Sequence, residues 1–545
     1  MSRKDAASLS LDAPAAGTSD RDAVARRRIV VGALVVVAWL AWSIGLHPLT
    51  LPDEGRYAGI AWEMLRSGDW LVPTQDGLPF FHKPPLFYWL TALSMRIFGV
   101  NAAAARFAPL FCACLAIAGV FAVTRRRAGE PIAAATVLVL ATMPLLFGAA
   151  QYANLDLPVA AFIALAIVFA ADAALGIRRG VPHRNALLLA WACAALGMLA
   201  KGLIGIVLPG LVIIVWLAVL REWRTIARLL SPAGIALFLL IAAPWFVLVE
   251  RQHPGFARYF FWHHHFERFV EQGFNNAQPW WFFVVVLPAL TLPWSLWLLG
   301  LGRSRDGAGG ETPGTNGLHD DRAAWRTLMW IWLAVVVVFF SLPESKPVGY
   351  ILPALFPLAF IVAEPVLAAW SGGRARWRGA VATGLAIAVA ICVGAVGWMA
   401  MHYDRDNTAL ARTLREARAA GDPVVFVEEY FFDVPLHARL TAPVPVISNW
   451  QDPEIPKRDN WRRELSEARQ FDPSLAAAVL VDAQRGFALR CGTSPLWVVV
   501  KRQDEATVAA LADAARVATS NGAALWRLAP QACSPGAAGA DGRRP

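Results

Sequence analysis

The sequence predicts a polytopic α-helical membrane protein with a small α/β domain at its C-terminal end. Three observations carry that expectation. The 545 residues are 57% hydrophobic and only 17% charged, with 24 tryptophans, which excludes an ordinary soluble domain. Apolar runs of about 20 residues, the length a helix needs to cross hydrocarbon, recur between residues 29 and 401. After Met401 the pattern changes to short β-branched runs between helix-like segments.

Residues 1–28 are polar and end in Arg26-Arg27-Arg28, so they read as a disordered cytoplasmic tail with no cleavable signal peptide. The transmembrane part is expected over 29–401. Its first span is 29–49, and 86–99, short for a crossing, is expected to be interfacial or re-entrant. Further spans are expected near 105–124, 131–151, 157–176, 186–200, 203–220, 231–250, 280–302, 326–343, 349–370 and 379–401. That makes roughly eleven. Arg125-Arg126-Arg127, Arg178-Arg179, Arg221/Arg224/Arg228, Arg303/Arg305 and Arg374/Arg376/Arg378 all fall on the side of the tail, which is therefore cytoplasmic. The Gly- and Asp-rich stretch 303–324 is then a flexible cytoplasmic loop. The net charge of +10 suits such loops, and no compact basic domain with interleaved aromatics argues for nucleic acid.

Residues 402–545 are expected to form an α/β domain on the far side of the membrane, since the span count is odd. Its strands are Val424–Val427, 444–447, 478–481 and 497–500, and 408–420 and 504–519 read as helices. Cys112, Cys114, Cys193 and Cys392 lie in expected spans as small apolar residues, while Cys491 and Cys533 are placed to pair in an oxidising compartment.

The far side collects isolated carboxylates, histidines and single lysines at span ends, where ionisable residues are functional candidates. The stretch 51–85 is the densest. Pro52 opens a helix whose first turn carries Asp53 and Glu54, and Tyr57, Ile60, Ala61, Met64 and Leu65 recur at helical spacing. Asp53, Arg56 and Tyr57 share neighbouring faces of one turn, which by itself reads equally as a cap with a local ion pair. Further on, His82-Lys83-Pro84-Pro85 brings an imidazole and a cation to the same surface. Asp156 and Lys201 occupy matching places between spans, and Lys346 and Tyr350 form a third such place. In the loop 251–279, His263-His264-His265 precede Arg268, with His264 and Arg268 on one helical face. These histidines read either as an aromatic-packed patch or, with His82, as ligands of a zinc-like divalent ion. A cavity lined by Asp53, Asp156, Lys83, Lys201, Arg268 and Lys346 would balance carboxylates against cations and fit a lipid-linked phosphate. No nucleotide-binding, serine-hydrolase or HExxH pattern is present.

At these residues the sequence resembles a known family. PDEGRYAGIAWEMLRSGDWLVPTQDGLPFFHKPPLFYW is similar to the first outer loop of the bacterial aminoarabinose (4-amino-4-deoxy-arabinose) lipid A transferases. These are relatives of the family 39 protein O-mannosyltransferases within the GT-C glycosyltransferases. The resemblance continues through LDLP at Asp156, AKGLIG at Lys201, the His265/Arg268 loop and SKPVGYILP, covering most of 29–370. It implies a GT-C fold of about 11 to 13 transmembrane helices. It makes Asp53 the key carboxylate, Lys83 and Arg268 the holders of the donor phosphate, and Tyr350 a wall of the same site, with Asp156 and Lys201 completing the cavity. Two departures stand out: His82 replaces the family's usual glutamate before Lys-Pro-Pro, and there are about two spans fewer. They favour a related member of the superfamily over the aminoarabinose transferase itself.

The expected activity is that of an inner-membrane enzyme whose active site faces the periplasm. It would move a sugar, an amino sugar by expectation, from an undecaprenyl (polyprenyl) phosphate carrier to a lipid acceptor such as a lipid A phosphate. Asp53 and Asp156 are the candidate catalytic carboxylates. Lys83, Arg268, Tyr350 and Lys201 are the donor-phosphate residues, Glu54, Arg56, Tyr57 and Lys346 support them, and His82 with His265 are candidate metal ligands. The alternatives are a protein O-mannosyltransferase-like enzyme acting on exported proteins and, in a different class, a polyprenyl-lipid transporter. The transporter should show internal repeats with broken helices in corresponding halves, and the sequence has none.

Overall fold

The computed structural model describes residues 16–267, 276–303 and 316–532. The helices before the first long span are α1 (Ala16–Ala41), α2 (Asp53–Ser67) and α3 (Leu86–Phe98). A short hairpin, β1 (Thr74–Gln75) with β2 (Leu78–Pro79), lies between α2 and α3. Then come α4 (Ala102–Ala128), α5 (Glu130–Ala141), α6 (Pro144–Ala150), α7 (Asp156–Arg179), α8 (Arg184–Lys201), α9 (Ile204–Val219), α10 (Trp223–Leu229) and α11 (Pro232–Gln252). After a π-helical segment, Arg258–Glu267, follow α12 (Phe282–Leu290), α13 (Asn316–Ser341), α14 (Leu355–Ser371) and α15 (Ala375–His402).

The chain is a multi-pass membrane protein. Among the described residues, six helices are long and apolar enough to cross, or up to eight if each bent pair counts as one span. The difference from the expected eleven has visible causes. Expected span 131–151 bends by 66° between α5 and α6, and 280–302 bends by 107° after α12. Span 203–220 is the 16-residue α9, which at about 1.5 Å per residue is shorter than the hydrocarbon. The N-terminal tail also differs, because α1 begins at Ala16, well inside the segment expected to be disordered, and ends at Ala41 where 29–49 was expected to continue. Residues 1–15 and most of the expected loop 303–324 lie outside the described residues.

Helix α7 is the hub. Nearly all of it is buried, and it packs against α4, α8 and α9. The turn from α8 to α9 is tight because two glycines meet there: a Cβ on Gly205 would stand 2.1 Å from the Gly197 carbonyl carbon. This crossing fixes the end of α8, where Lys201 sits.

Beyond α15 lie α16 (Thr408–Ala417), α17 (Val434–Ala438), α18 (Trp461–Ala468), α19 (Pro473–Val479) and α20 (Ala483–Phe487). Between them run β3 (Val424–Val427), β4 (Val446–Ile447), β5 (Leu480–Val481), β6 (Leu496–Lys501), β7 (Ala515–Thr519) and β8 (Ala523–Leu528). They form one sheet in the order β5-β4-β3-β6-β8-β7, parallel from β5 to β6 and antiparallel beyond. Residues 504–519, expected as a helix, are short turns followed by β7. The Asn521-Gly522 dipeptide starts the return into β8, and hairpin pairing overrides the alanine-rich helical propensity. Cys491 is disulfide-bonded, and Cys533, its expected partner, lies outside the described residues. The other four cysteines are free.

This C-terminal unit rests directly on α2 and the β1–β2 hairpin. Leu51 N–H donates to Tyr403 Oη at 2.5 Å, Val444 N–H to Asp76 Oδ1 at 2.7 Å, and Arg66 Nη1 to the Leu440 carbonyl at 3.1 Å. A Cβ on Gly55 would approach Phe432 Cβ at 3.1 Å, so α2 and the 431–433 segment are in close contact.

Candidate functional site

Helix α2 forms where the sequence expected it, with Pro52 at its N-cap and Tyr57, Ile60, Ala61 and Met64 buried. Its two leading acids part company. Glu54 points inward and is fully buried. Its oxygens accept from Arg106 Nε (2.8 Å) and Nη2 (2.7 Å), from Thr50 N–H and Oγ1 (2.8 and 2.9 Å), and from Ala153 N–H (2.7 Å). Asp53 points into open space with 41% of its side chain exposed, touched by the Tyr152 hydroxyl at 3.2 Å and by Arg56 Nη1 at 3.6 Å.

Asp53 borders a cavity of about 1410 Å³ between the membrane helices and the C-terminal unit. Of the expected site residues, Asp53, Arg56, Tyr57, His82, Lys83, Asp156, Lys201 and Tyr350 all line it. A second cavity of about 650 Å³ adjoins it, walled mainly by Leu145, Leu157, Leu290, Leu292, Leu352 and Ile391. Asp53, Asn154, Asp156 and Pro347 belong to both. A polar chamber and an apolar groove therefore meet at the carboxylates.

Asp156 and Lys201 form a direct ion pair, and Lys201 Nζ also lies 4.3 Å from the centre of the Tyr350 ring, a cation–π distance. The pair depends on Gly349, where a Cβ would fall 2.0 Å from Asp156 Oδ2. Arg56 is sandwiched between domains, its Nε 3.2 Å from Glu464 Oε2 and its guanidinium 5.0 Å from the Phe432 ring. Burial disfavours the Arg56 charge, but the carboxylates of Glu464 and Asp53 more than compensate and hold it protonated. Burial also pushes the Tyr57 hydroxyl up, so Tyr57 remains neutral.

His82 Nε2 lies 3.2 Å from the Tyr259 hydroxyl and 3.8 Å from Glu467 Oε2, while Tyr259 donates to the same carboxylate oxygen at 2.6 Å. An imidazole nitrogen beside a carboxylate oxygen is a donor pair that a zinc-like ion accepts. Among the described residues no group of three or more His, Cys, Asp or Glu could hold a metal. The His265 side chain and the whole of Arg268 lie outside the described residues, and with them the expected His82–His265 and His264–Arg268 relationships.

Lys346 corrects an expectation. It is buried and does not line the cavity. Its ammonium is spent on backbone carbonyls, at Gln278 (2.7 Å) and at Pro343, which pins the 276–278 segment against the end of α13. Four residues in contact with the expected site residues were missed: Arg106, Tyr259, Glu464 and Glu467. Glu464 and Glu467 stand three residues apart on α18, whose start is capped by Asn460 accepting from Arg462 and Arg463 N–H. That i,i+3 spacing of acids was the one available signal.

The scaffold is polytopic and helical, with its polar chamber beneath a small α/β unit. The family profile of the dolichyl-phosphate-mannose-protein mannosyltransferases matches residues 82–248. The chain is 32% identical over 334 residues to an undecaprenyl phosphate-alpha-4-amino-4-deoxy-L-arabinose arabinosyl transferase of Pseudomonas fluorescens, covering 58% of this chain and 56% of that one. It is 32% identical over 352 residues to the corresponding Pseudomonas aeruginosa enzyme, covering 63% and 60%. The chain thus spans less than two thirds of these relatives' length. Its fold matches the crystal structure of ArnT from Cupriavidus metallidurans bound to undecaprenyl phosphate, with a TM-score of 0.74 at 23% identity over 94% of this chain and 99% of that one. The apo form of that protein matches at 0.72 and 22% identity, over 92% and 98%. These matches bear out the resemblance drawn from the motifs, and the likeness in fold covers 94% of this chain.

Proposed function

We propose that this protein is an inner-membrane glycosyltransferase that moves an amino sugar from undecaprenyl phosphate to a phosphate of lipid A on the periplasmic face. The observation that carries this reading is the junction of the polar chamber with the apolar groove at Asp53, Asn154 and Asp156. A donor with a long hydrocarbon chain and a charged head would lay its chain in the groove and its phosphate in the chamber. Its relatives' activity points the same way.

In the reaction, an oxygen of the acceptor phosphate attacks the anomeric carbon as the bond from that carbon to the carrier phosphate breaks. The carrier phosphate leaves with the electron pair. Lys83, Arg268, Lys201 and Tyr350 would bind it there, and cations aimed at developing charge are a large share of such catalysis. Lys201 does this while paired to Asp156, so Asp156 sets its position and moderates its charge. A phosphate monoester has a second pKa of about 6 and is largely ionised near neutrality, so no base is needed. Asp53 then positions the amino sugar or the acceptor. With a hydroxyl acceptor, Asp53 would instead be the general base. His82, with His265 as the expected second ligand and Glu467 beside it, would hold a divalent ion, which would add positive charge to the site.

The experiment is direct. Lipid A from a strain lacking this protein should lose one amino-sugar substituent by mass spectrometry, and the wild-type gene should restore it. A pentosamine identifies aminoarabinose, and a hexosamine would follow from the altered His82 position. The match to the mannosyltransferase profile favours one second reading, glycosylation of exported proteins. Unchanged lipid A with hexose missing from exported proteins would select it. If neither changes while the carrier lipid accumulates, transport replaces transfer.

A further inference from the structure

The C-terminal sheet places a second set of polar groups on the chamber. Its chain runs from β3 outward to β4 and β5, then returns to the other flank of β3 to make β6. The direction of winding therefore reverses between β3 and β6, which are parallel neighbours. In open parallel α/β sheets, the crevice beyond the carboxyl ends of the strands at such a reversal is where ligands bind. Here those ends open onto the chamber. Glu429 and Tyr430 follow β3, and Lys501, Arg502 and Gln503 end and follow β6; all five line it. Glu429 and Lys501 pair across the reversal. Arg502 and, from the segment after α15, Arg405 are exposed, and neither has an ion-pair partner among the described residues. None of residues 402–532 walls the apolar groove, so the crevice is separate from the place where a lipid chain would lie.

We propose that this crevice is a headgroup subsite for the acceptor, in which Arg405 and Arg502 hold an anionic group, phosphate in class, other than the one that receives the sugar. The inference rests on the transferase reading and adds the acceptor's second contact to it. Arginine forks match phosphate oxygens in pairs, and two guanidiniums that line one chamber with the switch-point crevice, and have no ion-pair partner among the described residues, are free to do so. The subsite would let the C-terminal unit select a glycolipid with a second anionic substituent over one with a single phosphate.

The test uses the full-length protein in detergent and the double variant Arg405→Ala/Arg502→Ala, both positions being exposed. Binding of bisphosphorylated lipid A should weaken by about tenfold or more in the variant, as expected for lost charge-assisted bonds. Lipid A stripped of both phosphates should bind the two proteins alike, and undecaprenyl phosphate should too. Equal binding of bisphosphorylated lipid A overturns the proposal. So does inorganic phosphate alone binding in an Arg405/Arg502-dependent way, because the site would then serve a free anion. The single charge reversal Arg502→Glu repeats the comparison should the double variant fold poorly. These binding measurements are independent of turnover. If the wild type forms no product from aminoarabinosyl undecaprenyl phosphate and lipid A, the transferase reading fails while the subsite comparison still stands or falls by its own result.

Discussion

Glu54 and Arg106 form a two-pronged ion pair with no exposed side-chain surface on either partner. Arg106 spends its remaining N–H groups on the carbonyls of Ile44, His47 and Pro48. One guanidinium from near the start of α4 therefore fixes the turn after α1, the start of α2 and, through Glu54, the backbone at Ala153. Asp53 is the next residue along, held in the chamber by its neighbour's burial.

Removing one partner of such a pair leaves an uncompensated buried charge, a loss of about 3–5 kcal/mol. Arg106→Ala and Glu54→Gln should therefore lower the thermal unfolding midpoint and the yield of monodisperse protein. Glu54→Gln with an unchanged midpoint and no transfer would place Glu54 in the chemistry and not in the scaffold.

Asp53→Asn should behave in the opposite way. Its side chain is 41% exposed and carries little of the fold. The unfolding midpoint should stay at the wild-type value while sugar transfer to lipid A falls by about a hundredfold, the scale on which a misplaced reactant costs rate. Wild-type turnover in Asp53→Asn membranes would remove this residue from the mechanism.

Much of this was readable in the sequence, for physical reasons that also explain the gaps. The periodicity of Tyr57, Ile60, Ala61 and Met64 needs only local geometry, so α2 was legible to within a turn. Asp156 and Lys201 each sat beside hydrocarbon, where an unpaired charge is costly, and they are paired. Lys346 obeyed the same cost differently, by turning to carbonyls, which one residue's position cannot reveal. Arg106 was invisible because it interrupts an apolar run whose neighbours gave no sign of an acid nearby. Glu464 and Glu467 reach Arg56, Tyr259 and His82 across two folded units, so no local pattern links them. The bend after Ala141 lies at a Met-Pro step inside an apolar run, and a hydropathy window averages across it.

Gly349 is the next position to test. A methyl group there would stand 2.0 Å from Asp156 Oδ2, so Gly349→Ala must displace either Asp156 or the segment that carries Tyr350. Binding of undecaprenyl phosphate should weaken by about tenfold, in the range of a lost charge-assisted bond. Restored binding in Gly349→Ala/Asp156→Ala would confirm that the clash acts through Asp156. Undiminished binding in Gly349→Ala alone would show that the Asp156–Lys201–Tyr350 arrangement is dispensable for the donor.

His82 and Glu467 make a metal prediction. Protein purified without chelator should contain a zinc-like ion that is lost in both His82→Ala and Glu467→Gln. Loss in His82→Ala alone would leave Glu467 as a partner of Tyr259 and Arg463 and not a ligand. Metal content near zero in the wild type would end the metal reading and leave His82 as an aromatic-packed neighbour of Phe80.

The last prediction concerns pH and the joint between the two units. Asp433 is buried next to the Phe432 segment that packs on α2, and it accepts from Asn407 N–H (2.7 Å) and Nδ2 (3.0 Å). Burial pushes its carboxyl up to about 6 from 3.8, with the Asn407 bonds opposing that rise. Between those values the folded protein holds a proton that the unfolded chain has released. Stability therefore falls as pH rises through that window, and Asp433 adds no further slope above it. The unfolding midpoint should be higher at pH 5 than at pH 7 by a margin that Asp433→Asn reduces, since the amide cannot ionise. Nearby Asp406 adds to the upward push on Asp433, so Asp406→Asn should shift the window downward. An identical pH slope in wild type and Asp433→Asn would assign the dependence to other buried acids, Glu63 and Asp76 first, whose carboxyls burial also pushes up.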